Sequence, residues 1–138
     1  MTTESLVNDD AFLADWAVHS RFGAVEGTNG VERQAASDAD GQQRKWFAGL
    51  LEGHGFTVHR DAIGNLFGLL ELVPGAPYVL SGSHMDSQPT AGRFDGAYGV
   101  MASAHACFRL ADELRADPSA ARFNLAVVDW FNEEGSRF

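Results

Sequence analysis

Val100, Ala104, Cys107, Ala111 and Leu114 recur at steps of four, three, four and three, and the stripe stops short of Pro118. Apolar residues at that spacing line one face of an α-helix, and proline cannot continue it, so a helix is predicted over residues 100–114. One apolar run precedes it, Tyr78-Val79-Leu80, and another follows, Leu125-Ala126-Val127-Val128. Unbroken runs of this kind are the pattern of strands covered on both faces. Two strands joined through one helix lie parallel, with a right-handed crossover. That order confines the chain to an α/β sheet. It also fixes where chemistry can sit, because the polar residues after each strand leave the same sheet edge, the edge at which open α/β sheets bind ligands.

Upstream, Phe12, Leu13, Trp16, Ala17 and Ser20 predict a first helix within residues 9–22, capped by Asp9 or Asp10. Residues 23–34 hold Gly23, Gly27, Asn29 and Gly30 without a period and read as an irregular loop. Ser37 and Asp40 resemble a capping box, and Trp46, Phe47, Leu50 and Leu51 give the apolar face of a second helix that ends at Gly53 and Gly55. Residues 56–59 and 66–73 flank turn-forming residues 61–65 and predict a hairpin. The loop after the strand at Tyr78 is expected to run from His84 to Gly99. No repeat or linker divides the 138 residues, which amount to one domain.

A net charge of -9 argues against nucleic acid and anionic membranes as partners, since phosphate contacts need Lys or Arg. The longest apolar stretch, residues 66–80, is broken by Gly68, Glu71, Pro74 and Gly75, short of the roughly 20 residues a membrane-spanning helix needs. A lone Cys107 forms no internal disulfide, and residues 1–10 are acidic and polar where a signal peptide is basic and then apolar, so a cytoplasmic location is expected.

The two loops at the sheet edge carry His84, Asp86, Asp95, Glu133 and Glu134. Four carboxylates drawn together raise one another's pKa and oppose folding unless a cation compensates them. An imidazole with carboxylates, and no thiolate at hand, suits zinc, manganese, cobalt or nickel. Asp86, two residues after His84, is placed to accept the second ring N–H and fix its tautomer. Glu133 and Glu134, if extended, point to opposite sides, one toward a metal and one toward a reacting water. Metal-assisted hydrolysis needs that division of labour.

Three segments, Gly82-Ser83-His84-Met85-Asp86-Ser87, Gly92-Arg93-Phe94-Asp95-Gly96-Ala97-Tyr98-Gly99-Val100 and Asn132-Glu133-Glu134-Gly135-Ser136-Arg137-Phe138, resemble the successive motifs of the hydantoinase/carbamoylase amidases. That family contains N-carbamoyl-L-amino-acid hydrolases, allantoate amidohydrolases and beta-ureidopropionases, within the di-zinc aminopeptidase-like metallopeptidase superfamily. Gly30-Val31-Glu32-Arg33, Ser37-Asp38-Ala39-Asp40 and Asp61-Ala62-Ile63-Gly64-Asn65-Leu66 resemble it too. One departure is Ala91, where the family usually has a glycine.

The resemblance implies that residues 1–138 form the N-terminal portion of a three-layer, zinc-peptidase-like α/β catalytic domain with a mostly parallel sheet, incomplete at its C-terminus. It makes His84 a ligand of one divalent metal, Asp95 the bridge to a second, Glu134 a ligand of that second metal, Glu133 the general base and Asp86 the residue that orients the histidine. The implied reaction is hydrolysis of a linear amide C–N bond in an N-carbamoyl-L-amino acid or related ureido acid, with allantoate hydrolysis or peptidase action as alternatives. Longer family members add a histidine to each metal, and a lid domain that binds substrate and forms a homodimer. Without these, the 138 residues alone are expected to be inactive.

The other polar and aromatic residues read more plainly. His19 is expected half-buried, His54 in a cationic or hydrogen-bonding role at a helix end, His59 on the outer face of its strand, and His105 in solvent. Cys107 and all three tryptophans are expected in the core.

Overall fold

The computed structural model describes residues 7–138, so most of the polar start weighed against a signal peptide lies outside the described residues. Helix α1 spans Asp9–His19, β1 Gly30–Val31, α2 Asp38–Gly53, β2 Thr57–Arg60, β3 Leu66–Leu70, β4 Tyr78–His84, β5 Ala91–Gly92, α3 Ala97–Ala116 and β6 Asn124–Trp130, with a 3₁₀ turn at Pro118–Ala120. No helix among the described residues is long and apolar enough to cross a membrane.

The main sheet runs β2-β3-β6-β4, and β1 pairs with β5 in a separate two-stranded ladder. As expected, β4 and β6 are parallel, from Tyr78 opposite Asn124 to His84 opposite Trp130. β2 and β3 form the expected hairpin, and β3 is also antiparallel to β6. Within these residues the sheet is therefore mixed rather than mostly parallel, because a hairpin turn can only join antiparallel neighbours.

Leu66, Gly68 and Leu70 sit opposite Asp129, Val127 and Leu125, so these residues share one face. α2 and α3 pack their buried residues into one core with Leu66, Leu70, Leu125 and Val127. α2 approaches closely because Gly68 has no side chain: a Cβ there would lie 2.7 Å from Leu51 Cδ2. β6 is buried along almost its whole length, as its unbroken apolar run implies. β4 is not: Tyr78, Val79 and Leu80 are 42%, 52% and 47% exposed on this edge strand.

Local differences from the sequence reading have local causes. α1 stops at His19, not Phe22, and its cap is Asn8, whose side chain accepts from the Ala11 N–H. Asp9 and Asp10 occupy the first turn, where their charge favours the helix dipole. Ser37 caps α2 as read, but the Asp40 carboxylate turns back to the Ala36 N–H. β3 ends at Leu70 because buried Asn124 accepts the N–H groups of Leu72 and Val73, diverting them from the ladder.

Four aromatic or histidine expectations are corrected. His105 is buried, 3.0 Å from Asp15, and burial holds its pKa below the ordinary value. His19 is fully buried rather than half-buried and meets Gln43 at 3.0 Å. His54 stacks on Phe108 at 3.8 Å and burial lowers its pKa, against the cationic half of its reading, while at the end of α2 its carbonyl accepts from Arg115 at 2.9 Å. Trp130 is 41% exposed, since it closes β6 at the open end of the sheet. Cys107 is buried in the core as expected, and burial raises its thiol pKa.

Candidate metal centre

Parallel pairing brings the C-terminal ends of β4 and β6 side by side. The hydrogen-bonded strand continues through His84, so the histidine is the last residue of β4 rather than part of a loop, and its backbone is fixed by the sheet. After Trp130 the chain turns at once, with Asn132 at φ 56°. Glu133 and Glu134 therefore leave a turn, not an extended strand, and both face the same cluster. The third segment is the approach to α3. The β1–β5 ladder holds Gly92 opposite Gly30, and Asp95 follows three residues later.

These segments place one ligand atom from each of His84, Asp95 and Glu134 within 4.8 Å of one another. The histidine is buried, Glu134 half-buried and Asp95 exposed, so the cluster opens to solvent on the carboxylate side. The donor set of one imidazole nitrogen and two carboxylates fits a borderline divalent cation such as zinc, cobalt or manganese.

Gly96 makes the packing possible. The Ala97 N–H bonds back to the Asp95 carbonyl at 2.6 Å across Gly96, whose φ is 63° and ψ -55°. That is a tight three-residue turn with positive φ, strained for any residue with a side chain. A Cβ on Gly96 would lie 2.3 Å from His84 Nε2 and 2.4 Å from its Cε1. Only glycine lets the start of α3 close against the imidazole.

Asp86 binds differently from its sequence reading. The His84 Nδ1–H donates to the Asp86 backbone carbonyl at 3.0 Å, while the carboxylate lies 3.4 Å away. The two carboxylate oxygens also accept the N–H groups of Glu133 and Glu134, each at 3.2 Å. One buried side chain thus ties the end of β4 to the turn that carries both glutamates. Burial pushes its carboxyl pKa up, but the bonds from His84, Glu134 and Glu133 outweigh this and hold it below the usual range.

The Glu133 carboxylate reaches within 3.3 Å of His84 Nε2 and is 54% exposed. Its neighbour Glu134 accepts a hydrogen bond from Gln88 Nε2 at 3.0 Å. The His84 pKa is raised to about 9, chiefly by the Asp86 side-chain contact, against burial and with help from the Glu133 charge.

Sequence reasoning missed the polar tier beneath the cluster. Asp129 Oδ1 accepts the Met85 N–H, and its other oxygen pairs with Arg44 at 2.5 Å. Burial pushes the Asp129 carboxyl up to about 7 despite Arg44. Gln43 donates to the Met85 carbonyl at 3.0 Å, and Arg33 to the same oxygen at 3.1 Å. A carboxylate ending an otherwise apolar strand was the available signal for Asp129.

A mixed α/β sheet with an imidazole–carboxylate cluster at its parallel strand ends places the chain among α/β proteins that carry a candidate metal-ligand cluster at the sheet edge. No family model matches the chain. A hydantoinase/carbamoylase family amidase from Burkholderia ambifaria superposes with a TM-score of 0.85 and 39% identity, over 95% of this chain and 31% of that one. A Mycolicibacterium smegmatis relative, described only in general terms as a hydrolase, is 57% identical over 94% of this chain. An N-carbamoyl-L-amino-acid amidohydrolase of Rhizobium meliloti is 37% identical over 79% of it. Other relatives are named ureidoglycolate hydrolase and allantoate amidohydrolase. The chain belongs to the hydantoinase/carbamoylase amidase family and matches its N-terminal part. It spans 30% and 26% of the length of the first two of these relatives.

Proposed function

We propose that this chain supplies metal ligands and the proton-transfer group of an amidohydrolase that cleaves the C–N bond of an N-carbamoyl or ureido acid. The observation that carries the reading is the convergence of His84, Asp95 and Glu134 within 4.8 Å, with Glu133 3.3 Å from the histidine. His84 and Asp95 would hold one cation, and Asp95 and Glu134 would supply donors to a second. Bound divalent metal lowers the pKa of water and polarises the scissile carbonyl. Exposed Glu133 is free to take a proton from the attacking water and return it to the leaving nitrogen. Asp86 keeps the His84 ring turned into the cluster and fixes the turn that aims both glutamates.

On this reading residues 1–138 are the first part of a catalytic domain. Each cation receives two protein donors from them, one fewer than the three usual at catalytic zinc. Further sequence then contributes the remaining ligands, the substrate-binding lid and the dimer contact. The test is a zinc, manganese, cobalt and nickel panel assayed with N-carbamoyl-L-amino acids, allantoate and ureidoglycolate. The 138-residue chain should bind metal weakly and turn over none of them, whereas a full-length protein that begins with this sequence should hydrolyse at least one. Chelator-insensitive hydrolysis by the full-length protein would sink the metal reading.

A further inference from the structure

Arg33 is 1% exposed and is the largest fully buried side chain among the described residues. Its guanidinium has no carboxylate within ion-pair distance among them, an expensive way to bury a charge. Four backbone carbonyls take its place. Nε donates to Met85 at 3.1 Å, Nη1 to His19 at 3.4 Å and Phe22 at 3.3 Å, and Nη2 to Arg93 at 3.3 Å. The Arg33 backbone adds a two-way contact with Ser87, its N–H donating to Oγ at 2.9 Å and its carbonyl accepting the Ser87 N–H at 3.2 Å.

These acceptors are not scattered. Met85 is the residue between His84 and Asp86, and Arg93 lies two residues before Asp95. Asp129 and Gln43 also hold Met85, but their bonds do not extend to residue 93. A rigid planar fork can hold several carbonyls at fixed separation, whereas an ammonium offers donors from a single point on a flexible stem. Burial lowers the guanidinium pKa to about 10, opposed by the charges of Asp40 and Asp129, so it remains charged at neutral pH.

We propose that Arg33 is a positioning residue for the metal cluster: by holding the Met85 and Arg93 carbonyls at once, it sets the separation of His84 from Asp95. The proposal rests on the metal reading above. It assigns Arg33 no contact with metal or substrate.

The test is a cobalt(II) titration of the 138-residue chain followed by visible absorption, whose band shape reports ligand geometry. Arg33→Met and Arg33→Lys are compared with Asn124→Ala, a destabilised control at the opposite end of β6. Both Arg33 variants should bind cobalt about 10- to 100-fold more weakly, the range for groups that orient metal ligands, and with altered bands. Methylguanidinium should partly restore the bands of Arg33→Met, and Asn124→Ala should keep the affinity and bands of the unsubstituted chain. Should the Arg33 variants fail to fold, Ser87→Ala, which removes one acceptor of the Arg33 backbone, should shift affinity in the same direction by less. Unchanged affinity and bands in the Arg33 variants or, where those do not fold, in Ser87→Ala, or an equal change in Asn124→Ala, would overturn the proposal alone. Absence of cobalt binding by the unsubstituted chain would overturn the metal reading, and the proposal with it.

Discussion

Replacing Gly96 with alanine tests whether the cluster depends on the close approach of α3 to His84. Two costs add. The backbone there, at φ 63° and ψ -55°, is strained for a residue with a Cβ, at about 1–3 kcal/mol. The new methyl would also lie 2.3–2.5 Å from three imidazole atoms, where carbon contacts settle near ~3.5–4.0 Å. The ring must then move by about 1 Å, away from its Asp86 and Glu133 contacts. A hydrogen bond to a charged group contributes about 1.5–3 kcal/mol, so the total loss should be about 2.5–6 kcal/mol. Urea denaturation of the metal-free chain measures it, with Gly41→Ala as control. Gly41 lies exposed in α2 with nothing within 4 Å of where a methyl would stand, so alanine there should stabilise by about 0.5–1 kcal/mol. Cobalt titration of Gly96→Ala should show weakened binding as well. Stability within about 0.5 kcal/mol of the unsubstituted chain, the scatter of neutral surface changes, with unaltered cobalt binding would refute the reasoning.

In a full-length protein that begins with this sequence, Glu133→Gln should cut turnover by about 10²- to 10⁴-fold while metal content stays constant, because it removes a base and leaves the ligands. Loss of metal together with activity would show that the roles of Glu133 and Glu134 are exchanged. The His84 pKa, raised from 6.5 to about 9, sets opposite trends for stability and metal uptake. The proton's contribution to stability is full below pH 6.5 and is lost as pH rises through about 9, while metal must displace that proton. Apparent zinc affinity should thus climb about tenfold per pH unit between those limits, with proton release measurable by calorimetry in two buffers. A flat affinity profile would contradict this. Asn124→Ala should cost about 3 kcal/mol in urea denaturation, since the part-buried N–H groups of Leu72 and Val73 lose their acceptor at about 1–3 kcal/mol each.

Periodicity determined the frame of this protein. The Val100–Leu114 stripe, the unbroken run ending at Val128 and the hairpin turn at residues 61–65 each reflect local burial or local backbone geometry, so α3, β6 and β2–β3 were legible from short stretches. Motif spacing likewise singled out His84, Asp86, Asp95, Glu133 and Glu134 as candidates, because polar residues at the ends of parallel strands gather at one sheet edge. Tertiary structure decided what depends on distant partners. Asn124 ended β3 from 52 residues away, and Asp15 drew His105 out of solvent across 90 residues. The carboxylate of Asp86 bonded to the Glu133–Glu134 turn more closely than to its neighbouring histidine. Arg33 found four carbonyls that no local pattern announces. A buried polar group takes whichever partners the packed chain brings within about 3 to 3.5 Å, and that choice is made by the whole fold rather than by the residues on either side.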